Sequence, residues 1–300
     1  MHAFLEMFAP DFVLRNALWA SLLLGAIAPL IGVHLVLERR VLLALALPEA
    51  GNLGVALSVW VLAALGVNAG SENNATLVFG VSVAGALLLM LLALAGLRLV
   101  RRAKSTHVHA EDAGVHADGE EGALFALALA STLILAASHK IPELGLLDAL
   151  KGELLAVSTP LLLGLVLGAA LVVSSNVLLK GPFQAVLYDP LAAHASGLPA
   201  ARIQSLSTGL LCLTVALGSL AAGPLAVFAF LVAPATTLLP FVKHFGTLCW
   251  TASAVGVACA LAGFYLSYCS DTLPAAAAQM LCLGAVWLGS RVWLCVRKNG

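Results

Sequence analysis

Charge is what this sequence has least of. Asp, Glu, Lys and Arg make up 10% of the 300 residues, against roughly 25% in a soluble domain. So few charges leave too little polar surface to face water, which excludes an ordinary soluble globular fold. No G-x-x-x-x-G-K-[ST] stretch occurs, so no phosphate cradle of that kind holds a nucleotide, and ATP-driven work would need a second polypeptide. H-E-x-x-H is also missing. An intramembrane hydrolase is left without its metal motif, and no nucleophile and base pair up within the apolar runs to replace it. The six cysteines, Cys212, Cys249, Cys259, Cys269, Cys282 and Cys295, form no C-x-x-C pair. They read as small residues in apolar segments rather than as a disulfide or metal framework.

What is present is hydrophobic length. Hydrophobic residues reach 61%, gathered in continuous runs long enough to cross a hydrocarbon core of about 30 Å. Continuous rather than alternating apolar character predicts helices, not a barrel. The expected fold is therefore all-α, a polytopic membrane protein of about nine spans. These run Phe12 to Leu37, Val41 to Leu65, Leu77 to Leu97, Gly122 to Ser138, Pro160 to Leu179, Ile203 to Ala221, Pro224 to Val242, Leu248 to Tyr268 and Ala275 to Leu294. The first run lacks a basic leader and a small-residue cleavage site, so it is expected to stay as a signal anchor.

Threading the chain through nine spans puts Arg39, Arg40, Arg98, Arg101, Arg102, Lys104, Lys180, Arg202, Lys243, Arg291, Arg297 and Lys298 on one side. Only Arg15, Lys140 and Lys151 fall opposite. The positive-inside rule then sets the N-terminus outside and the C-terminus in the cytoplasm. The whole chain, residues 1–300, reads as one transmembrane domain with three substantial connections: a cytoplasmic loop at 98–121, an outer loop at 139–159 and a cytoplasmic connection at 181–202. None is long enough for a soluble domain.

The third connection contains "YDPLAAHASGLP", Tyr188 to Pro199. Asp189 suits an N-cap, Pro190 the first helical position and Gly197 the C′ position, while Pro199 halts continuation. A helix of about two turns is expected at the inner surface. It either caps the bundle or docks a cytoplasmic partner.

Within the second run, "LALALPEAGNLGVAL" sets Pro48, Glu49 and Asn52 among apolar neighbours. Glu49 is the one ionisable residue deep inside any of the nine segments, about 12 Å along the helix from Val41. A lone charge there costs on the order of 2.5 to 3.5 kcal/mol on insertion scales, so it should face the bundle interior, a wet cavity or a twofold axis. Two such carboxylates at an axis form a hard-oxygen ligand set for a divalent ion, or share a proton. The alternative is a protonated Glu49 hydrogen-bonded to a neighbouring helix, with Asn52 as similar glue. The first connection, "STHVHAEDAGVHADGEEGA", holds His107, His109 and His116 among acids. That mixture either closes weakly around a metal ion or is a solvated linker.

Four ordered stretches resemble the permease subunit of the manganese, zinc and iron (ABC-3 type) class of ABC transporters: "LIGVHLVLERRVLLALALPEAGNLGVAL", "GELLAVSTP", "LYDPLAAHASGLP" and "AAGPLAVFAFLVAPATTLL". The resemblance spans nearly the whole chain. It implies a permease that imports a divalent metal ion, pairs with a second copy or a related permease, and works with two cytoplasmic ATPase subunits and an extracytoplasmic metal-binding protein. No tightly bound cofactor is implied, and the inner membrane is the expected location. It also gives Tyr188, Asp189, Pro190 and Gly197 the role of coupling to the ATPase. The family's second helix carries an Asp and, four residues on, a His, as in "GDALSHA"; here those positions are Leu45 and Glu49. Glu49 and Asn52 become the candidates for the metal or translocation path. Loss of the usual pair keeps open a permease-derived metal sensor, or a non-transporting partner in a heterodimer.

Overall fold

The computed structural model of the chain describes residues 14–65, 75–104, 112–137, 157–270 and 273–299. They form eleven helices: α1 (Arg15–Leu37), α2 (Val41–Ala64), α3 (Ala75–Lys104), α4 (Asp112–Ala137), α5 (Thr159–Leu178), α6 (Lys180–Tyr188), α7 (Pro190–Ala195), α8 (Ala200–Ala222), α9 (Pro224–Leu238), α10 (Phe245–Tyr268) and α11 (Ala275–Asn299). Among the described residues seven helices are long and apolar enough to cross a membrane: α1, α2, Thr76–Val100 of α3, α5, α8, α10 and Ala275–Arg297 of α11. Helices α4 and α9 stand where the fourth and seventh runs were expected, α9 being a shorter apolar helix of 15 residues. Large apolar side chains such as Leu88, Leu91, Leu92, Leu163, Leu167, Ile134 and Leu288 lie on the outside of the bundle, the pattern of helix faces turned to lipid.

Breaks between helices have local causes. Gly223 takes φ 82° and ψ 161° between α8 and α9, a conformation that essentially only glycine adopts. Pro224 then opens α9, where the missing N–H costs nothing. Arg39 has φ 57°, so the chain turns sharply from α1 into α2. Burial raises the Glu38 carboxyl above its ordinary range, opposed by the nearby Arg40 charge.

Helix α1 is the centre, packed on α5, α8, α9 and α10; α2 packs mainly on α3 and α4, and α11 closes the other side against α9 and α10. Lipid tails are as apolar as leucine, so tight van der Waals contact and interhelical hydrogen bonds must hold helices together. Small residues supply the contact. A Cβ on Gly25 would stand 2.8 Å from the Gly256 carbonyl oxygen, and one on Gly32 would overlap the Leu231 carbonyl. Helix α1 thus meets α10 and α9 backbone to backbone. The Ser253 hydroxyl donates to the Ala26 carbonyl at 2.8 Å, and the Gln279 amide to the Ala260 carbonyl at 3.3 Å. Replacing Gly256 by Val is therefore expected to cost about 1–3 kcal/mol through overpacking. A thermal unfolding curve in detergent that matches the parent's would overturn this account of the α1–α10 seam.

The first connection is shorter than its composition suggested. Residues 98–104 continue α3 and 112–121 open α4, which leaves 105–111 outside the described residues. Loss of hydrophobicity marks where the chain leaves the bilayer, but Arg, Lys, Ala and Glu are good helix formers and carry a span onward. Glu121, read as loop, is 1% exposed and takes hydrogen bonds from Arg40 Nε and a terminal nitrogen at 3.2 and 3.1 Å. That pair ties the start of α2 to α4. The outer loop at 139–159 falls almost wholly outside the described residues, as do His107 and His109.

Three cysteines, Cys212, Cys249 and Cys259, are buried in the core as expected, whereas Cys269 and Cys295 are exposed; all six are free thiols.

Candidate functional site

The middle of α2 is enclosed. Leu43, Ala44 and every residue from Ala46 to Asn52 are buried, Glu49 at 5% exposure and Asn52 at 6%. Pro48 lies within the helix and has no N–H for the carbonyl one turn earlier. On the far side from Glu49, Gly51 and Gly54 let α3 approach: the Met90 methyl fills the space above Gly51, and a Cβ on Gly54 would come within 2.7 Å of Ala86 Cα. Residues two apart on a helix point about 200° away from each other, so Glu49 turns away from the Met90 contact, and Asn52 shares its face.

The Glu49 Oε2 atom is buried and has no hydrogen-bond partner among the described residues. A buried oxygen of this kind costs about 1–3 kcal/mol, more if ionised, unless a proton, water or cation satisfies it. Among the described residues no three His, Cys, Asp or Glu side chains converge into a metal-holding group. Glu49 is therefore one donor, and a cation there would complete its shell with water or backbone oxygens.

The inner connection has the local geometry its residue types encode. Asp189 is the N-cap of α7: its Oδ1 accepts from Leu191 N–H at 3.0 Å and Ala192 N–H at 2.9 Å. At the other end Gly197 takes φ 84°. Its N–H donates to the His194 carbonyl, and Leu198 N–H donates to the Ala193 carbonyl, both at 3.1 Å. This is the paired closure of a Schellman end. Tyr188 and Leu191 are exposed, at 60% and 83%. The six-residue helix is thus capped at both ends, with the Leu191 side chain turned outward.

Sequence reasoning missed α6. The connection at 181–202 holds this second helix too, with Pro182 in its first turn, where N–H groups have no helical acceptor anyway. Phe183 and Val186 then anchor α6 to the bundle.

It also missed His34. This imidazole, near the end of α1, is 2% exposed and bonded at both nitrogens: Nδ1 lies 3.1 Å from Ser207 Oγ on α8, and Nε2 lies 3.1 Å from Asn176 Oδ1 on α5. Asn176 Nδ2 donates to the Val172 carbonyl at 3.0 Å, so its Oδ1 is an acceptor. His34 therefore carries its hydrogen on Nε2 and accepts at Nδ1 from the Ser207 hydroxyl. Phe183 of α6 packs edge-on against the ring at 5.0 Å, and Phe245 of α10 lies at 5.5 Å. A histidine within an apolar run, with its partners 142 and 173 residues away, leaves no local signal.

Residues 11–293 match the model of the ABC 3 transport family. The chain is 26% identical over 261 residues to the manganese transport system membrane protein MntC of Halalkalibacterium halodurans, covering 86% of this chain and 80% of that one. An uncharacterised membrane protein of Cyanophora paradoxa is 36% identical over 87 residues, 29% of each chain. Among solved structures, PsaBC from Streptococcus pneumoniae in complex with a Fab superposes with a TM-score of 0.78 at 23% identity, covering 97% of this chain and 95% of that one. A putative metal-chelate type ABC transporter in an inward-facing conformation gives 0.67 at 19% identity over 93% and 85%. At these identities the superpositions speak for the fold.

Proposed function

This chain belongs to the ABC 3 transport family, and from that premise we propose that it is the membrane-spanning subunit of an ATP-driven importer of manganese, zinc or iron. In this reading a separate cytoplasmic ATPase drives it, an extracytoplasmic binding protein delivers the ion, and a second permease copy or a related permease completes the pore. The bundle has nine spans in the inner membrane, with the N-terminus outside and the C-terminus inside. The observation that carries the metal path is the carboxylate of Glu49, buried in mid-span with an oxygen that has no partner. Hard oxygen donors suit Mn²⁺ and Fe²⁺, and Glu49 supplies one from inside its own bundle. Asn52, on the same face, adds an amide oxygen. The docking helix is α7, opened by Pro190, capped by Asp189, closed at Gly197 and preceded by Tyr188 at the end of α6.

Reconstitution with the ATPase into vesicles tests the reading. ATP-dependent uptake of radiolabelled manganese, zinc or iron is expected. Uptake of none of the three above vesicles lacking the ATPase would sink it.

The departure at Leu45 and Glu49 favours a second arrangement, in which this chain is the non-transporting half of a heterodimer or a membrane metal sensor. Co-purification of a related permease that carries the Asp and His, with loss of uptake when that chain alone is altered, would select it.

The histidines have a separate role, as a weak cytoplasmic site for the arriving ion. His116 lies in α4, past the segment that holds His107 and His109. Changing all three to Ala is expected to remove one weak binding event from a calorimetric zinc titration while leaving helix content unchanged. Superimposable isotherms would make the segment a linker.

A further inference from the structure

The two helices that flank α6 and α7 are bonded to the same residue. Asn176 lies in the last turn of α5, just before α6 begins at Lys180, and Ser207 lies two turns into α8, just after α7 and its closure. His34 bonds to both. The ring also rests against Phe183 of α6 itself and against Phe245 at the start of α10. Five helices thus meet on one imidazole, which joins α5, α6, α8 and α10 to this end of α1.

We infer that His34 is a positioning residue that passes movement of the α6–α7 segment into the membrane-spanning bundle. The inference rests on the reading of α7 as the ATPase-docking helix. The chemistry suits the task. Each bond in the chain Ser207 O–H to Nδ1, Nε2–H to Asn176 Oδ1, and Asn176 Nδ2–H to the Val172 carbonyl has one donor and one acceptor, so no polar atom of the imidazole is left over. Separating α5 or α8 from α1 strands at least one of these groups in an apolar surround, which makes the joined arrangement a discrete state rather than a soft one. Phe183 adds a contact through which displacement of α6 pushes directly on the ring. Helix α1 then carries the displacement to α9 and α10, because those seams are backbone against backbone at Gly32 and Gly25.

The test uses the reconstituted permease with its ATPase and measures ATP hydrolysis and metal uptake together. His34→Leu is expected to keep assembly and hydrolysis while uptake per ATP falls about five- to tenfold, the scale of typical coupling between sites. His34→Gln, which keeps one donor and one acceptor, should recover part of the ratio. Ser207→Ala and Asn176→Leu should each lower it, and adding either to His34→Leu should lower it little further, since members of one network are not additive. An unchanged ratio in His34→Leu, or fully additive losses, overturns the inference. Should His34→Leu fail to assemble, Ser207→Ala decides: a fall in the ratio with normal hydrolysis supports the role, and an unchanged ratio, or equal falls in both activities, rejects it. Failure of the docking reading shows separately, as a parent permease that binds no ATPase or as α7 variants that leave the ratio untouched.

Discussion

Changing Glu49 to Gln is expected to abolish most transport while leaving expression and assembly normal. The amide keeps the size of the side chain and its capacity for hydrogen bonds, but it loses the negative charge that attracts a divalent cation. Outer-shell partners of a bound metal already cost about 10- to 100-fold when mutated, and a ligand charge should cost at least as much. If Glu49 were a neutral acid hydrogen-bonded to a neighbouring helix, Gln would serve nearly as well and uptake would barely change. Glu49→Leu adds a second discrimination. It removes a polar group whose Oε2 is unpartnered, so assembly should hold or improve even as transport fails. Uptake by the Gln variant at the parent's rate would end the metal-path proposal for α2.

The second large effect concerns α7. Asp189→Ala combined with Gly197→Val should leave the bundle inserted but separate ATP hydrolysis from uptake. The alanine removes the acceptor for two backbone N–H groups, worth about 1 kcal/mol of helix stability. Valine at φ 84° is strained by roughly 1–3 kcal/mol. A six-residue helix has no internal reserve against losses of that size, whereas α6 and α8 on either side are held by their own packing. Hydrolysis is expected to persist or to escape control, with uptake near background. If the double variant assembles with the ATPase and transports as the parent does, α7 only caps the bundle.

Both predictions rest on features that were readable in advance, for a common reason. Asp189, Pro190 and Gly197 act within eight residues of one another, through backbone rules that hold in any fold. Glu49 stood out because its cost in hydrocarbon is intrinsic to the side chain. His34 could not be read this way, since its meaning depends on helices far along the chain. The α6 helix was hidden because proline signals a break unless the start of the helix is already known. Helix ends at 98–121 were misjudged because hydropathy reports where lipid stops, not where hydrogen bonding does. Nothing in the sequence singled out Glu121 as the buried partner of Arg40.

The backbone seams of α1 also set a schedule for biogenesis. Ser253 meets Ala26 across 227 residues of chain. At a synthesis rate of about 5–20 residues per second, α1 waits roughly 10 to 45 s before α10 exists to pack against it. During that interval the Gly25 face of α1 lies open in the membrane, without the Gly256 carbonyl it meets in the finished fold. An early helix built to receive the last ones makes the half-made protein a poor membrane resident. Chains truncated before α9 should accordingly be cleared by quality control rather than accumulate as partial bundles, and insertion factors that shelter α1 should govern yield more than any later helix does.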